Sequence, residues 1–265
     1  MKVVRGLSFM LFAFCLFLFA SCGLESFYYL DPPKEDRLVL YTNSDRTLDY
    51  FSFRTNEGSE PNISLGEFEF LGTEVYYKIY RSTSAMTSCQ SSISSITNGT
   101  DASAAAEKLI DSYGYKTLRF VSPGSQVSIV KDAQTPRYVY IRLNHFQGES
   151  EDNPYTNVVC TGRTQMKEYD SSWNTEGSGV NVYSPRRNIN SSYGFNFNSK
   201  DENSPVPKNG DEDVTWSDTA TEEGCWYIDM YAVSVGRDTS FTTSYSEVLH
   251  LGSITVRESE YDEYN

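Results

Sequence analysis

Apolar and polar side chains alternate with a period of two residues along much of this chain, and that period dictates extended structure. In Asp49–Arg54, Phe51 and Phe53 fall on one face with Ser52 and Arg54 opposite. Glu67–Phe70 alternates likewise, and Glu74–Arg81 sets Val75, Tyr77 and Ile79 against Tyr76, Lys78 and Tyr80. β-branched and aromatic residues dominate these segments, as half-buried strands favour. Further strands are expected at Leu38–Tyr41, Thr117–Val121, Gln126–Lys131 and Arg137–Leu143, with Pro123-Gly124 turning the chain between the second and third of these. The pattern returns in Cys225–Val233, where Trp226, Ile228, Met230 and Ala232 face inward, and in Val248–Val256. The sequence thus predicts a mainly β, antiparallel sandwich.

Two segments depart from that period. Ala102, Ala105, Ala106, Leu109, Ile110 and Tyr113 form one stripe on a 3.6-residue helix over about 101–113. Thr100 or Asp101 can cap its start and Gly114 can close its end. Such a small-residue stripe suits close docking on a sheet. Residues 144 to 213 are instead rich in Asn, Ser, Asp and Gly, with strand-like pieces at Asn157–Cys160, Val180–Tyr183 and Phe195–Phe197. This stretch is expected to be a polar insertion with weak hairpins, the kind of segment that carries recognition on a rigid scaffold.

Composition narrows the chemistry. With 22 Lys+Arg against 36 Asp+Glu, the net charge of −14 excludes nucleic-acid binding, which needs clustered cations on phosphate. An aromatic content of 14% excludes a disordered acidic chain. The two histidines are His145, at the opening of the insertion, and His250, between Leu249 and Leu251 in a strand, where a sheet-face role is expected. No serine sits in a nucleophile elbow, and no phosphate loop, dinucleotide fingerprint or zinc spacing is present. No catalytic, metal-binding or cofactor-binding residue is therefore assigned, although a carboxylate pair of the glycosidase kind stays open. Asp211–Glu222 places oxygen side chains at the spacing of a calcium loop, but Trp216 stands where the turn glycine belongs, so a solvated acidic loop is expected.

The N-terminus carries an address. Lys2 and Arg5 precede an apolar run from Leu7 to Ala20 of about 14 residues, too short to span a bilayer and of the length of a secretory core. Phe19-Ala20-Ser21-Cys22-Gly23 follows and resembles a bacterial lipobox, with Phe19 in place of the usual leucine. The resemblance implies cleavage before Cys22 and acylation of its thiol, with two or three acyl chains anchoring the protein to a bilayer. Cleavage would remove Lys2 and Arg5, leaving 20 basic against 36 acidic residues, a net −16. Cys89, Cys160 and Cys225 would remain, enough for at most one disulfide. The expected layout is a signal peptide at 1–21, a lipid anchor and tether at 22–36, a sandwich at 37–257 with its insertion at about 144–213, and an acidic tail at 258–265.

Two wider resemblances bear on function. Glu74-Val75-Tyr76-Tyr77-Lys78, the alternating Trp226–Ala232 run followed by Gly236, and Ser244-Tyr245-Ser246 before Val248–Val256 are similar to strands of fibronectin type III or immunoglobulin-like sandwiches. Thr73 stands where that fold's strand usually has an aromatic, and its tyrosine corner is missing. The set Ser21–Pro33, Leu71–Tyr80 and Leu249-His250-Leu251-Gly252 resembles a group of spirochaete (treponemal) lipoproteins of unassigned activity. That resemblance implies an envelope location, on the periplasmic face or the outer surface of the outer membrane. The expectation is a non-enzymatic binding module, anchored to the bilayer through acylated Cys22, with an unknown protein or glycan ligand. The alternatives are a carboxylate-dependent hydrolase and a structural or assembly subunit.

Overall fold

The computed structural model describes residues 29–36, 50–62, 66, 68–96, 101–131, 135–143, 158–163, 180–190, 192–203 and 205–258. The leader, Cys22, the expected strand at Leu38–Tyr41, His145 and the acidic tail beyond Glu258 lie outside the described residues. Within them the chain is mainly β, with two sheets packed face to face and two short helices on the outside of the second.

The first sheet runs in the order β1 (Lys34–Glu35), β2 (Phe51–Arg54), β8 (Tyr138–Arg142), β9 (Val158–Gly162), β10 (Asn181–Arg186), β5 (Arg119–Ser122) and β6 (Ser125–Val127), antiparallel throughout. The second is built on β3 (Phe68–Tyr80) and β12 (Cys225–Asp238), which pair antiparallel from Tyr80 opposite Tyr227 to Phe68 opposite Asp238. β13 (Thr243–Tyr245) and β14 (Leu249–Arg257) join β12. β4 (Lys116–Thr117), β7 (Ile129–Val130) and β11 (Val214–Thr215) join β3, and β11 runs parallel to it.

The period-two faces read from the sequence are the faces observed. Val75, Tyr77, Ile79, Trp226, Ile228, Met230 and Ala232 meet Phe51, Phe53, Val139, Ile141, Val159 and Phe120 in the core between the sheets. Full burial of a side chain such as Ile79 or Ile228 contributes roughly 1.5–3 kcal/mol. Tyr76, Tyr80, Tyr227, Tyr231 and Val233 point the other way, into a second core beneath the helices. β3 and β12 are therefore buried on both faces, which makes them the spine of the molecule. Pro123 and Gly124 form the expected tight turn, with Ser122 opposite Ser125 and Gly124 at φ +76°.

Three features differ from the sequence expectation. A helix, α1 (Thr83–Ser94), covers the second core with Met86, Cys89 and Ile93. Its serine-rich sequence hides it, because short hydroxyl side chains are weak helix formers. Here they bond back to the preceding turn, as Thr87 and Ser91 do to the carbonyls of Thr83 and Thr87 at 2.9 Å. The one helix expected, at about 101–113, is present as α2 (Ala104–Glu107), continued by a π-helical turn over Lys108–Ser112, with Ala105, Ala106 and Leu109 buried. Second, the strand-like pieces of the polar stretch are β9 and β10, interior strands of the first sheet, and Phe195 and Phe197 are fully buried in the main core. Third, two bulges interrupt the spine. One lies between Val235 and Gly236 opposite Gly72 and Phe70, with Gly72 at φ +135°, and the other between Met230 and Tyr231 opposite Gly252 and His250, with Gly252 at φ +102°. Both positive φ values are costly for any residue with a Cβ.

The second bulge reverses a face. Val256, Ile254 and Gly252 pair with inward Trp226, Ile228 and Met230, yet His250 pairs with outward Tyr231. Strict alternation would have put the imidazole in the core.

Candidate functional site

The pairing of β3 with β12 gives the sandwich two distinct ends, about 40 Å apart at 3.3 Å per residue. At one end Leu30 packs on Phe68 and Phe70, the first residues of β3, so the N-terminal segment enters there. The other end, where β3 finishes and β12 begins, carries a cleft of about 180 Å³. Arg81, Pro207, Trp216, Glu222, Glu223, Trp226 and Glu258 are among its lining residues. It is smaller than drug-binding pockets, which start near 300 Å³, and suits a single ring or side chain.

Each cleft side chain is positioned by its element. Arg81 follows β3, stacks its guanidinium 4.6 Å from the centre of the Trp216 ring, and reaches Glu223 and the Ser217 carbonyl at 3.3 Å. Trp216 follows β11, and its ring centre is 6.2 Å from that of Trp226. Trp226 donates its indole N–H to Glu258 at 2.9 Å, and Glu222 accepts from Arg257 at 2.7 Å. The result is a wall of one partly buried indole, Trp216, backed by the 4% exposed Trp226 and edged by three carboxylates and two guanidinium groups. Such a wall can stack a ring while the rim supplies acceptors and donors to its hydroxyl or amine groups.

The expected solvated acidic loop at Asp211–Glu222 is only partly solvated. Asp213 is fully buried and Asp211 nearly so, both bound by Arg187, whose side chain is 0% exposed. Arg187 Nε and Nη2 donate to Asp213 at 2.9 and 2.7 Å, and Nη2 also reaches Asp211 at 2.8 Å. Tyr77 donates its hydroxyl to Asp213 at 2.6 Å and accepts from the Asn188 amide at 2.7 Å. Burial opposes the charge on Arg187, but hydrogen bonds and attraction from Asp213, then Asp211, outweigh it and raise its pKa above the usual arginine value. No calcium loop can form while Asp211 and Asp213 are turned inward. Among the described residues no group of three or more His, Cys, Asp or Glu is placed to hold a metal ion.

A second polar centre lies under the helices. Asp229, fully buried in β12, accepts from the Tyr115 hydroxyl at 2.5 Å, from Gln90 of α1 at 2.8 Å and from His250 Nε2 at 2.8 Å. Burial, then the charge of Asp229, pushes the Tyr115 phenol far above its ordinary value and keeps it a donor. The His250 ring stacks on Tyr231 at 4.6 Å and its side chain is 40% exposed. The sheet-face expectation for His250 therefore holds, with a partner that strand alternation alone would not supply.

Cys89, Cys160 and Cys225 are all buried. Desolvation pushes the Cys160 thiol up to about 12, which makes it inert at neutral pH. Sequence reasoning missed Arg187, Asp213 and Asp229 as a group, since their partners lie far away in the chain. The outward period of β12 did hold a signal, because Asp229 interrupts the tyrosines at 227 and 231. Comparison of the chain with protein-family models, with curated proteins and with solved structures gave no match.

Proposed function

We propose that this protein is a bacterial envelope lipoprotein, anchored through acylated Cys22, whose sandwich is a non-enzymatic binding module. The lipobox-like Phe19–Gly23 and the short apolar run before it support the anchor. The observation that carries the binding role is the separation of the two ends. The N-terminal segment joins the sandwich beside Phe68, and the Trp216 cleft lies at the opposite end of the same long strands. A chain tethered at the first end holds the cleft away from the bilayer, open to a ligand. The aromatic wall with carboxylate acceptors favours a glycan ring, whose C–H face stacks on indole while its hydroxyls meet Glu222, Glu223 and Glu258.

The test has two arms. Fatty-acid labelling of cells is expected to mark the full-length protein and to vanish in Cys22→Ala; label kept by the variant removes the anchor. A glycan array probed with the acylated protein in detergent is expected to give a ligand whose affinity falls at least tenfold in Trp216→Ala. Equal binding by both proteins, or conversion of the glycan to product, would defeat the cleft as a non-enzymatic site.

A further inference from the structure

We propose that the hairpin tip at Phe241 is a second membrane contact, seated in the headgroup layer of the bilayer that holds the acyl chains. This inference rests on the anchoring reading above. Phe241 breaks two rules at once. The residue is 74% exposed, the largest such value for a bulky apolar residue among the described ones. Its backbone sits at φ +63°, where among the described residues every other positive φ belongs to glycine. Left-handed backbone is costly for a residue with a Cβ, and glycine or asparagine would relieve it. A phenylalanine held there is neither a packing residue nor a good turn residue.

The tip is also pre-shaped. Asp238 accepts from the amide of Thr242 at 2.8 Å and from the Ser240 hydroxyl at 2.7 Å. The Asp238 carbonyl accepts from the Phe241 amide, and its own amide donates to the Thr242 carbonyl, both at 3.1 Å. These bonds fix the four residues after Asp238 in one shape, so the exposed ring needs no ordering before it inserts.

Location identifies the occupant. Asp238 pairs with Phe68, and Leu30 packs on Phe68, so the tip projects from the end where the N-terminal segment enters. Tyr29, immediately before Leu30, is 53% exposed. About seven residues separate it from Cys22, a reach of at most about 25 Å. The acyl chains and the Phe241 ring are thus confined to one side of the molecule. An apolar ring such as Phe241 suits the headgroup–acyl boundary, and the Arg237 guanidinium, 5.3 Å over that ring, is held in place by Glu69 at 2.7 Å. Two membrane signals hold better than one, and a second point of contact fixes which way the cleft faces.

The test uses the full-length acylated protein in phosphatidylcholine vesicles. An NBD fluorophore is placed on Phe241→Cys or, at the distal end, on Asp218→Cys; the cysteines at 89, 160 and 225 are buried. Doxyl-labelled lipid is expected to quench the probe at 241 at least threefold more than the probe at 218. Equal quenching at both sites, in protein that still floats with the vesicles, overturns the contact while leaving the anchor intact. Protein that does not float overturns the anchor and this inference together. Phe241→Asn, which suits the left-handed backbone and so folds, is expected to transfer between vesicles at least threefold faster than wild type; an unchanged rate counts against the contact.

Discussion

Two carboxylate centres are buried in this sandwich, and they are neutralised in opposite ways. At Asp213 the charge is met by a guanidinium that is itself fully buried, with Asp211 and Tyr77 completing the set. At Asp229 no fully buried cation lies alongside among the described residues, Lys78 opposite it being only partly buried; a phenol, an amide and a half-exposed imidazole share the carboxylate between them. The first centre is closed and can only hold the fold together, here by fastening the segment after β10 to β3. The second keeps one partner, the His250 imidazole, in contact with solvent. Two equally buried carboxylates thus differ in how far their partners reach solvent.

The contrast should appear first in stability. Replacing Arg187 with Met leaves Asp213 buried without its counter-ion, and an ion pair broken in this way costs about 3–5 kcal/mol. Urea unfolding should show that loss, against less than about 1 kcal/mol for His250→Ala, whose pairing is partly exposed. Equal losses would erase the distinction between the two centres. A smaller effect is expected for Asp229→Asn, near 2 kcal/mol, because its amide group would face a donor while Tyr115, Gln90 and His250 compete for one oxygen. A loss below about 0.5 kcal/mol would mean that the network does not support α1.

The gentlest probe is alkaline pH. Burial, followed by the charge of Asp229, raises the pKa of Tyr115 and Tyr231 well above the ordinary phenol value, and burial, followed by the Cys89 hydrogen bond, does so for Tyr80. The unfolded chain releases these protons first, so their contribution is full below about pH 10 and is lost as pH rises above it. Each such proton contributes a slope of about 1.4 kcal/mol per pH unit. Thermal melts from pH 9 to 11 should show falling stability with a shallower slope in Tyr115→Phe. An unchanged slope in that variant would place the alkaline sensitivity elsewhere.

Much of the fold is legible in the sequence because strand parity is local. Two neighbours suffice to tell that Tyr77 and Ile79 share a face, and the two cores follow from that. The Ala-rich helix is legible for the same reason. What escapes is whatever depends on distant partners or on broken periodicity. α1 shows only Met86, Cys89 and Ile93 among hydroxyl residues, too sparse a stripe to stand out. β9 and β10 look like fragments within polar surroundings, because interior strands of five or six residues need no longer signal. At the cleft, Arg81 and Trp216 are more than a hundred positions apart, and only the parallel pairing of β11 with β3 brings them together. His250 shows the limit most clearly: its neighbours Leu249 and Leu251 are visible in the sequence, but the bulge that turns it toward Asp229 is not.

The spine has a further consequence, which concerns time. β3 and β12 are the partners that both cores require, yet they lie about 150 residues apart in the chain. Closing so long a loop comes before any reward from pairing, so the two cores are expected to assemble late and slowly. Nearly the whole chain must have emerged from the ribosome before the spine can zip. A polypeptide that delays its collapse in this way stays threadable through a narrow channel, as the export proposed above would require.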